Sequence, residues 1–235
     1  MNGWHHRIGL GIVLPAILLA LCSAPGWGAQ QQRYTVLVDP AHGGDDTGVV
    51  SDKIREKDLT LNMALMVRQE AQKTANLQVQ LTRSADRGVT VADRIKMAAG
   101  MKPDCLISLH VNAGFGKKAA GYEVYFPGFR QAAAAGAGSS APILKDMEQN
   151  RSLNDSVRLA QRTQNALESV FPRKGRGLRD APCPLLEGVT APGIVVEVGF
   201  ATHPEDRKAL GEEQTQRAVA RALVRGLQEY FQKNP

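Results

Sequence analysis

Tyr34-Thr-Val-Leu-Val-Asp-Pro-Ala-His-Gly-Gly-Asp-Asp-Thr-Gly48 decides how the chain is read. Its first six residues, short, apolar and rich in β-branched side chains, have the pattern of a buried strand. From Pro40 to Gly48 glycine and aspartate are too frequent for regular structure, so the strand ends in a loop. A histidine, His42, thus stands just past a buried strand, the usual place for sites in open α/β sheets.

The segments downstream repeat this alternation. Leu59 to about Lys73 carries Leu61, Ala64 and Leu65 at helical spacing, and Leu77-Gln-Val-Gln-Leu81 alternates as a strand. Thr90-Val-Ala-Asp93 has the form of a capping box and opens a helix ending near Gly100. Cys105 to Leu109 is a buried strand leading directly into His110, and Tyr122 to Phe126 is a fourth strand. Ser156 to Phe171 reads as a helix stopped by Pro172, Ile194 to Val198 as a strand delivering Glu197, and Thr215 to Phe231 as a closing amphipathic helix. Long helical crossovers between strands imply parallel pairing. The expected fold is α/β, a single three-layer domain with a mostly parallel twisted sheet covered by helices on both faces. The domain runs from about Arg33 to Pro235, with an insertion at about 128–154. Within it Gln131 to Ser140 is low-complexity Ala/Gly/Ser, and Ile143 to Asn150 can form a short helix.

Upstream, His5, His6 and Arg7 precede an apolar run from Ile8 to Cys22, then small residues and Gln30-Gln31-Gln32. That is the layout of a secretory signal over residues 1–29, with the cleavage position open; an uncleaved anchor is the alternative. The run is short for a membrane span, which needs about 20 apolar residues, and no later stretch qualifies. The reading is therefore an exported protein of the periplasm or cell envelope, with no transmembrane span in the mature chain. The net charge of +6 suits an acidic partner. Export leaves anionic envelope polymers or lipids as that partner and removes nucleic acid. Cys105 and Cys183 sit in apolar contexts and read as small buried hydrophobes. An oxidising compartment permits a bridge between them, which spacing alone does not decide.

Two imidazoles and two carboxylates stand out. His42 and His110 follow strands, Glu56 closes the loop before the first helix in Arg55-Glu-Lys-Asp58, and Glu197 interrupts Val195-Val-Glu-Val-Gly-Phe200. A carboxylate inside a run fit for burial is costly unless it has a partner or a task. A hydrolytic zinc site uses about three protein ligands and leaves one position open, and two histidines with one glutamate are a recurrent set. A further group must then take a proton and return it to the leaving amine. Singly, each of the four has an ordinary structural explanation.

Together the motifs resemble a known family. Val38-Asp-Pro-Ala-His-Gly-Gly44, Arg55-Glu-Lys-Asp58, Leu81-Thr-Arg83, Ser108-Leu-His-Val-Asn112, Gly121-Tyr-Glu-Val-Tyr125 and Val196-Glu-Val-Gly-Phe200 follow the order of zinc-dependent N-acetylmuramoyl-L-alanine amidases of the type-3 family. The resemblance spans Tyr34 to about Arg225, with Ala41 in place of a usual glycine and Ala201-Thr-His-Pro204 in place of the usual turn. It implies one Zn2+ held by His42, Glu56 and His110, with Glu197 as the catalytic base. It also implies peptidoglycan as substrate, cut between N-acetylmuramic acid and L-alanine. Asn112 is a candidate substrate-binding residue, Arg83 and Arg94 candidates for contacting an acidic stem peptide, and Asp39 a candidate orienter of His42. Related amidases carry an inserted helix that covers the zinc until a partner withdraws it. Glu148 is therefore a candidate regulatory ligand and an activator protein a candidate partner. The alternatives are another envelope zinc hydrolase, such as a carboxypeptidase or deacetylase, or a non-catalytic wall-binding module.

Overall fold

The computed structural model describes residue 1 and residues 32–128, 140–172 and 174–232, with the side chains of 140–150 outside the description. Of the leader expected at residues 1–29, residues 2–29 lie outside the described residues, as does the low-complexity stretch 131–139. In chain order the elements are β1 (Tyr34–Pro40), β2 (Val50–Ser51), β3 (Ile54–Arg55), α1 (Glu56–Ala71), β4 (Leu77–Leu81), α2 (Val91–Met101), β5 (Cys105–Asn112) and β6 (Tyr122–Pro127). Then come α3 (Ser140–Leu167), β7 (Gly175–Ala181), α4 (Pro184–Glu187), β8 (Gly193–Phe200), α5 (Pro204–Gly211) and α6 (Glu213–Phe231).

Six strands form one sheet in the order β4-β1-β5-β8-β6-β7, and β2 pairs with β3 as a small hairpin. Every junction of the large sheet is parallel except β6 with β8. The mostly parallel α/β expectation holds. Thr90 accepts a hydrogen bond from the Asp93 N–H at 3.1 Å, as the capping box required.

Side chains alternate across a strand, and here the two faces receive different cover. Val36, Ile107, Val124, Ile194 and Val196 point to one face, where they pack with Met63 and Val67 of α1, Leu159 and Leu167 of α3, and Leu223 and Leu227 of α6. Burying each such side chain contributes roughly 1.5–3 kcal/mol, so this layer dominates stability. Leu37 and Leu106 point the other way and meet only Ala98 of α2 and Leu185 and Leu186 of α4, with a few half-buried neighbours. The same alternation puts Asp39, Ser108, His110, Asn112, Glu123 and Glu197 on this thinly covered face. The side chains that chemistry needs are there because the helices are not.

The expectation of two helices after β6 is corrected. The short helix at Ile143–Asn150 and the separate one from Ser156 are a single helix of 28 residues, Ser140–Leu167. The polar run Asn150-Arg-Ser-Leu-Asn-Asp-Ser156 costs only tenths of a kcal/mol per residue and does not break it. Glu148 lies on this helix, with its side chain outside the described residues. A seventh strand, β7, was not foreseen. Cys105 is buried in the larger core and Cys183 packs against the smaller one, on the opposite side of the sheet; both are free thiols. Among the described residues no helix is long and apolar enough to cross a membrane.

Candidate active site

The loop after β1 is built around strain at His42, whose φ is 62°. A non-glycine residue in that region costs on the order of 1–3 kcal/mol and persists only when its surroundings over-determine it. They do. Arg83 donates from Nε to the Pro40 carbonyl at 3.0 Å and from Nη2 to the Ala41 carbonyl at 2.8 Å. Arg94 donates from Nη2 to the His42 carbonyl at 2.9 Å and from Nη1 to the Pro40 carbonyl at 2.9 Å. Both guanidinium groups are buried, and Arg94 is paired with the buried Asp39 carboxylate, which also accepts from the Ser108 and Thr82 hydroxyls. Arg83 and Arg94 are therefore clamps on the loop backbone and not substrate contacts. Asp39 does not touch His42; it neutralises Arg94. The group that orients His42 is Asp46, whose Oδ2 lies 2.8 Å from Nδ1. Asp46 is returned toward His42 by a tight turn in which Gly43 and Asp46 exchange backbone hydrogen bonds.

Glu56 opens α1, and its carboxylate is buried. The helix start is satisfied by the loop, since Glu56 N donates to the Val49 carbonyl at 2.9 Å and Lys57 N to the Thr47 carbonyl at 3.2 Å. In return Val49 N and Val111 N donate to the two Glu56 oxygens at 2.9 and 3.0 Å. His42 Nε2 lies 3.0 Å from Oε2 and His110 Nδ1 3.1 Å from Oε1. Burial on its own raises the Glu56 carboxyl, but the hydrogen bonds from His110, His42 and the two amides outweigh it and hold the group well below the usual carboxylate range. The His42 imidazole is raised to about 9, first by its bond to Glu56 against the opposing effect of burial, then by Asp46.

The three ligand atoms lie within 4.8 Å of one another. Around a tetrahedral zinc, with bonds of about 2.1 Å, ligand atoms sit about 3.4 Å apart. The 3.0 Å from His42 Nε2 to Oε2 and the 3.1 Å from His110 Nδ1 to Oε1 are close to that, each on a different oxygen of Glu56. Nitrogen, oxygen and nitrogen donors, one carboxylate, and an orienting acceptor behind His42 all fit a zinc ion. Gly48 makes room for the arrangement, since a Cβ there would lie 2.5 Å from Glu56 Oε2 and 2.5 Å from His42 Cδ2.

Glu197 stands directly beside His110 in the parallel β5–β8 register and directly opposite Glu123 in the antiparallel β6–β8 register. Its Oε2 is buried and makes no hydrogen bond among the described residues. Burial, helped by the Glu56 and Glu123 charges and opposed by His110, pushes its carboxyl up to about 7. A carboxyl poised near neutrality, in reach of a candidate metal, is suited to moving protons. Asn112 lies on the same face and donates from Nδ2 to Glu123 Oε2 at 3.0 Å. His203 takes no part; its Nδ1 caps α5 by accepting from Asp206 N at 3.4 Å.

Sequence reasoning missed Asp46 and Glu123. Asp46 carried no signal beyond its place four residues after His42. Glu123 carried the signal that exposed Glu197, a carboxylate alternating with apolar residues in a buried strand, here Tyr122-Glu-Val-Tyr125.

The chain is 30% identical over 215 residues to the uncharacterized protein YqiI of Bacillus subtilis, covering 91% of this chain and 93% of that one. It is 25% identical over 229 residues to the N-acetylmuramoyl-L-alanine amidase AmiC of Escherichia coli O6:H1, covering 88% of this chain and 55% of AmiC. The crystal structure of an N-acetylmuramoyl-L-alanine amidase from Clostridium difficile 630 matches the fold with a TM-score of 0.72 at 27% identity, over 87% of this chain and all of that one. Residues 36–229, which contain His42, Glu56, His110 and Glu197, match the pattern of one family along its length, and the chain belongs to that family, the type-3 N-acetylmuramoyl-L-alanine amidases.

Proposed function

We propose that the chain is a zinc-dependent hydrolase of bacterial peptidoglycan that cuts the amide between N-acetylmuramic acid and the L-alanine of the stem peptide. The observation that carries this reading is the convergence of His42, Glu56 and His110 on one point, with a Glu197 oxygen that has no hydrogen-bond partner among the described residues one strand away. His42 Nε2, the Glu56 carboxylate and His110 Nδ1 would hold one Zn2+, with Asp46 fixing the His42 tautomer. When bound, zinc supplies a water of lowered pKa and polarises the scissile carbonyl. Glu197 then carries the proton, taking it from the attacking water and giving it to the alanine nitrogen as the C–N bond breaks. Burial raises this carboxyl in the metal-free site, which favours its taking up a proton. Asn112, its amide nitrogen tied to Glu123, keeps its carbonyl oxygen to accept from the substrate amide N–H. The basic apolar leader supports action in the periplasm or envelope, and an activator protein belongs to the same reading. Zinc content measured together with the products released from purified sacculi tests the proposal. Free stem peptides and one zinc per chain are expected. Shortened peptides or released acetate would identify a different hydrolase, and no release would leave a binding module.

A further inference from the structure

With Arg83 and Arg94 committed to the core, β7 brings positive charge to the face of the site. Tyr122 of β6 pairs with Gly175, but Val124 pairs with Leu178, so β7 inserts an extra residue where Gly177 takes φ 89°. In an unbroken strand Arg176 and Arg179, three residues apart, would face opposite sides. The bulge brings both to the side of Glu123. Arg176 Nε donates to Glu123 Oε1 at 2.8 Å, and its guanidinium lies 5.3 Å over the Phe200 ring. Arg179 Nη2 approaches the same oxygen at 3.6 Å with its side chain 49% exposed. Glu123 is buried and already accepts from Asn112 and, at 2.6 Å, from the Tyr125 hydroxyl. Two guanidinium groups thus share one saturated carboxylate, and the cluster keeps a net positive charge on the open face beside Glu197. Tyr125 lies between the two, its phenol under the fields of both Glu197 and Arg179.

We propose that Arg179, supported by Arg176 on Glu123, is a specificity-determining residue that binds the carboxylate of an acidic residue directly following the scissile alanine. This rests on the amidase reading and names the substrate class within it. β7 lies two strand spacings, about 10 Å, from β8. One peptide unit of about 3.8 Å and an extended arginine span that gap. A planar guanidinium offers the paired donors that a carboxylate accepts and a carboxamide does not.

The test uses the zinc-loaded full chain and two muramyl peptides that differ only in whether the residue after alanine carries a free carboxylate or its carboxamide. The wild-type protein is expected to prefer the acid. Arg179→Gln should raise KM for the acid about tenfold to a hundredfold, the worth of a hydrogen bond to a charged group. It should leave kcat and the amide substrate unchanged, and Arg179→Lys should restore part of the loss. Equal losses on both substrates, or an acid preference that survives Arg179→Gln, would overturn the proposal. If the wild type cleaves neither peptide nor sacculi, the amidase reading itself fails.

Discussion

Replacing Arg94 with methionine separates what holds the domain together from what holds His42 in place. The guanidinium donates to the buried Asp39 carboxylate and to the carbonyls of Val89, Pro40 and His42 at 3.0, 2.9 and 2.9 Å. Methionine fills the space but leaves Asp39, 2% exposed, with two hydroxyl donors and no countercharge. Breaking a buried ion pair from one side costs about 3–5 kcal/mol. For a domain of this size each kcal/mol moves Tm by about 2–4 °C, so a fall of about 6–20 °C follows. A second effect is independent of the first. With its carbonyl untied, His42 can relax from φ 62°, and metal binding must then restore a strain of about 1–3 kcal/mol. Zinc affinity should drop by about 5- to 150-fold, measured by competition with a chromophoric chelator. The double variant Asp39→Asn with Arg94→Met removes both charges and should recover most of the Tm without recovering the affinity. A Tm within 2 °C of wild type, by the same estimate less than about 1 kcal/mol, would refute the ion-pair reasoning. Restored affinity in the double variant would refute the clamp on His42.

Glu197→Gln should retain zinc and lose about 10²- to 10⁴-fold in turnover of sacculi; near wild-type turnover would remove Glu197 from proton transfer. Gly48→Ala should abolish stoichiometric zinc while far-UV circular dichroism stays native, because its Cβ would occupy space held by Glu56 and His42. A fully metallated variant would contradict the close approach. In the metal-free protein His42 holds a proton to about pH 9, so its ion pair with Glu56 contributes stability that is full below pH 6.5 and is lost as pH rises through 9. Zinc must displace that proton. Calorimetry at pH 7 in buffers of differing ionisation enthalpy should show about one proton released per zinc, and affinity should rise about tenfold per pH unit up to 9. Affinity flat from pH 7 to 9 would exclude a protonated His42.

His42, Glu56, His110 and Glu197 could be singled out in the sequence because each breaks a local pattern. His42 follows β1, His110 is a polar residue near the end of the apolar β5, Glu56 closes a loop, and Glu197 sits among valines. The two arginines were misread for a physical reason. Arginine is usually solvated, and only the folded loop shows three consecutive carbonyls, Pro40, Ala41 and His42, turned inward and needing donors. β7 was illegible because Gly175-Arg-Gly-Leu-Arg-Asp-Ala181 has neither alternation nor strand propensity. Its extended state is imposed by the ladder to β6. α3 was divided in two because polar residues interrupt its apolar period, although nothing in them stops a helix.

That undivided α3 limits how its own N-terminal end can move. At 1.5 Å per residue it is a rod of about 42 Å. Its C-terminal half is rooted by Leu159, Ala160 and Leu167, and Ser156 Oγ accepts from Gly193 N at 2.9 Å, at the foot of the strand that carries Glu197. A hinged flap swings without disturbing its frame, but a rod seated in the frame cannot. A partner gripping the far end would either melt several turns or lever against β8 itself, and the catalytic strand would feel the pull.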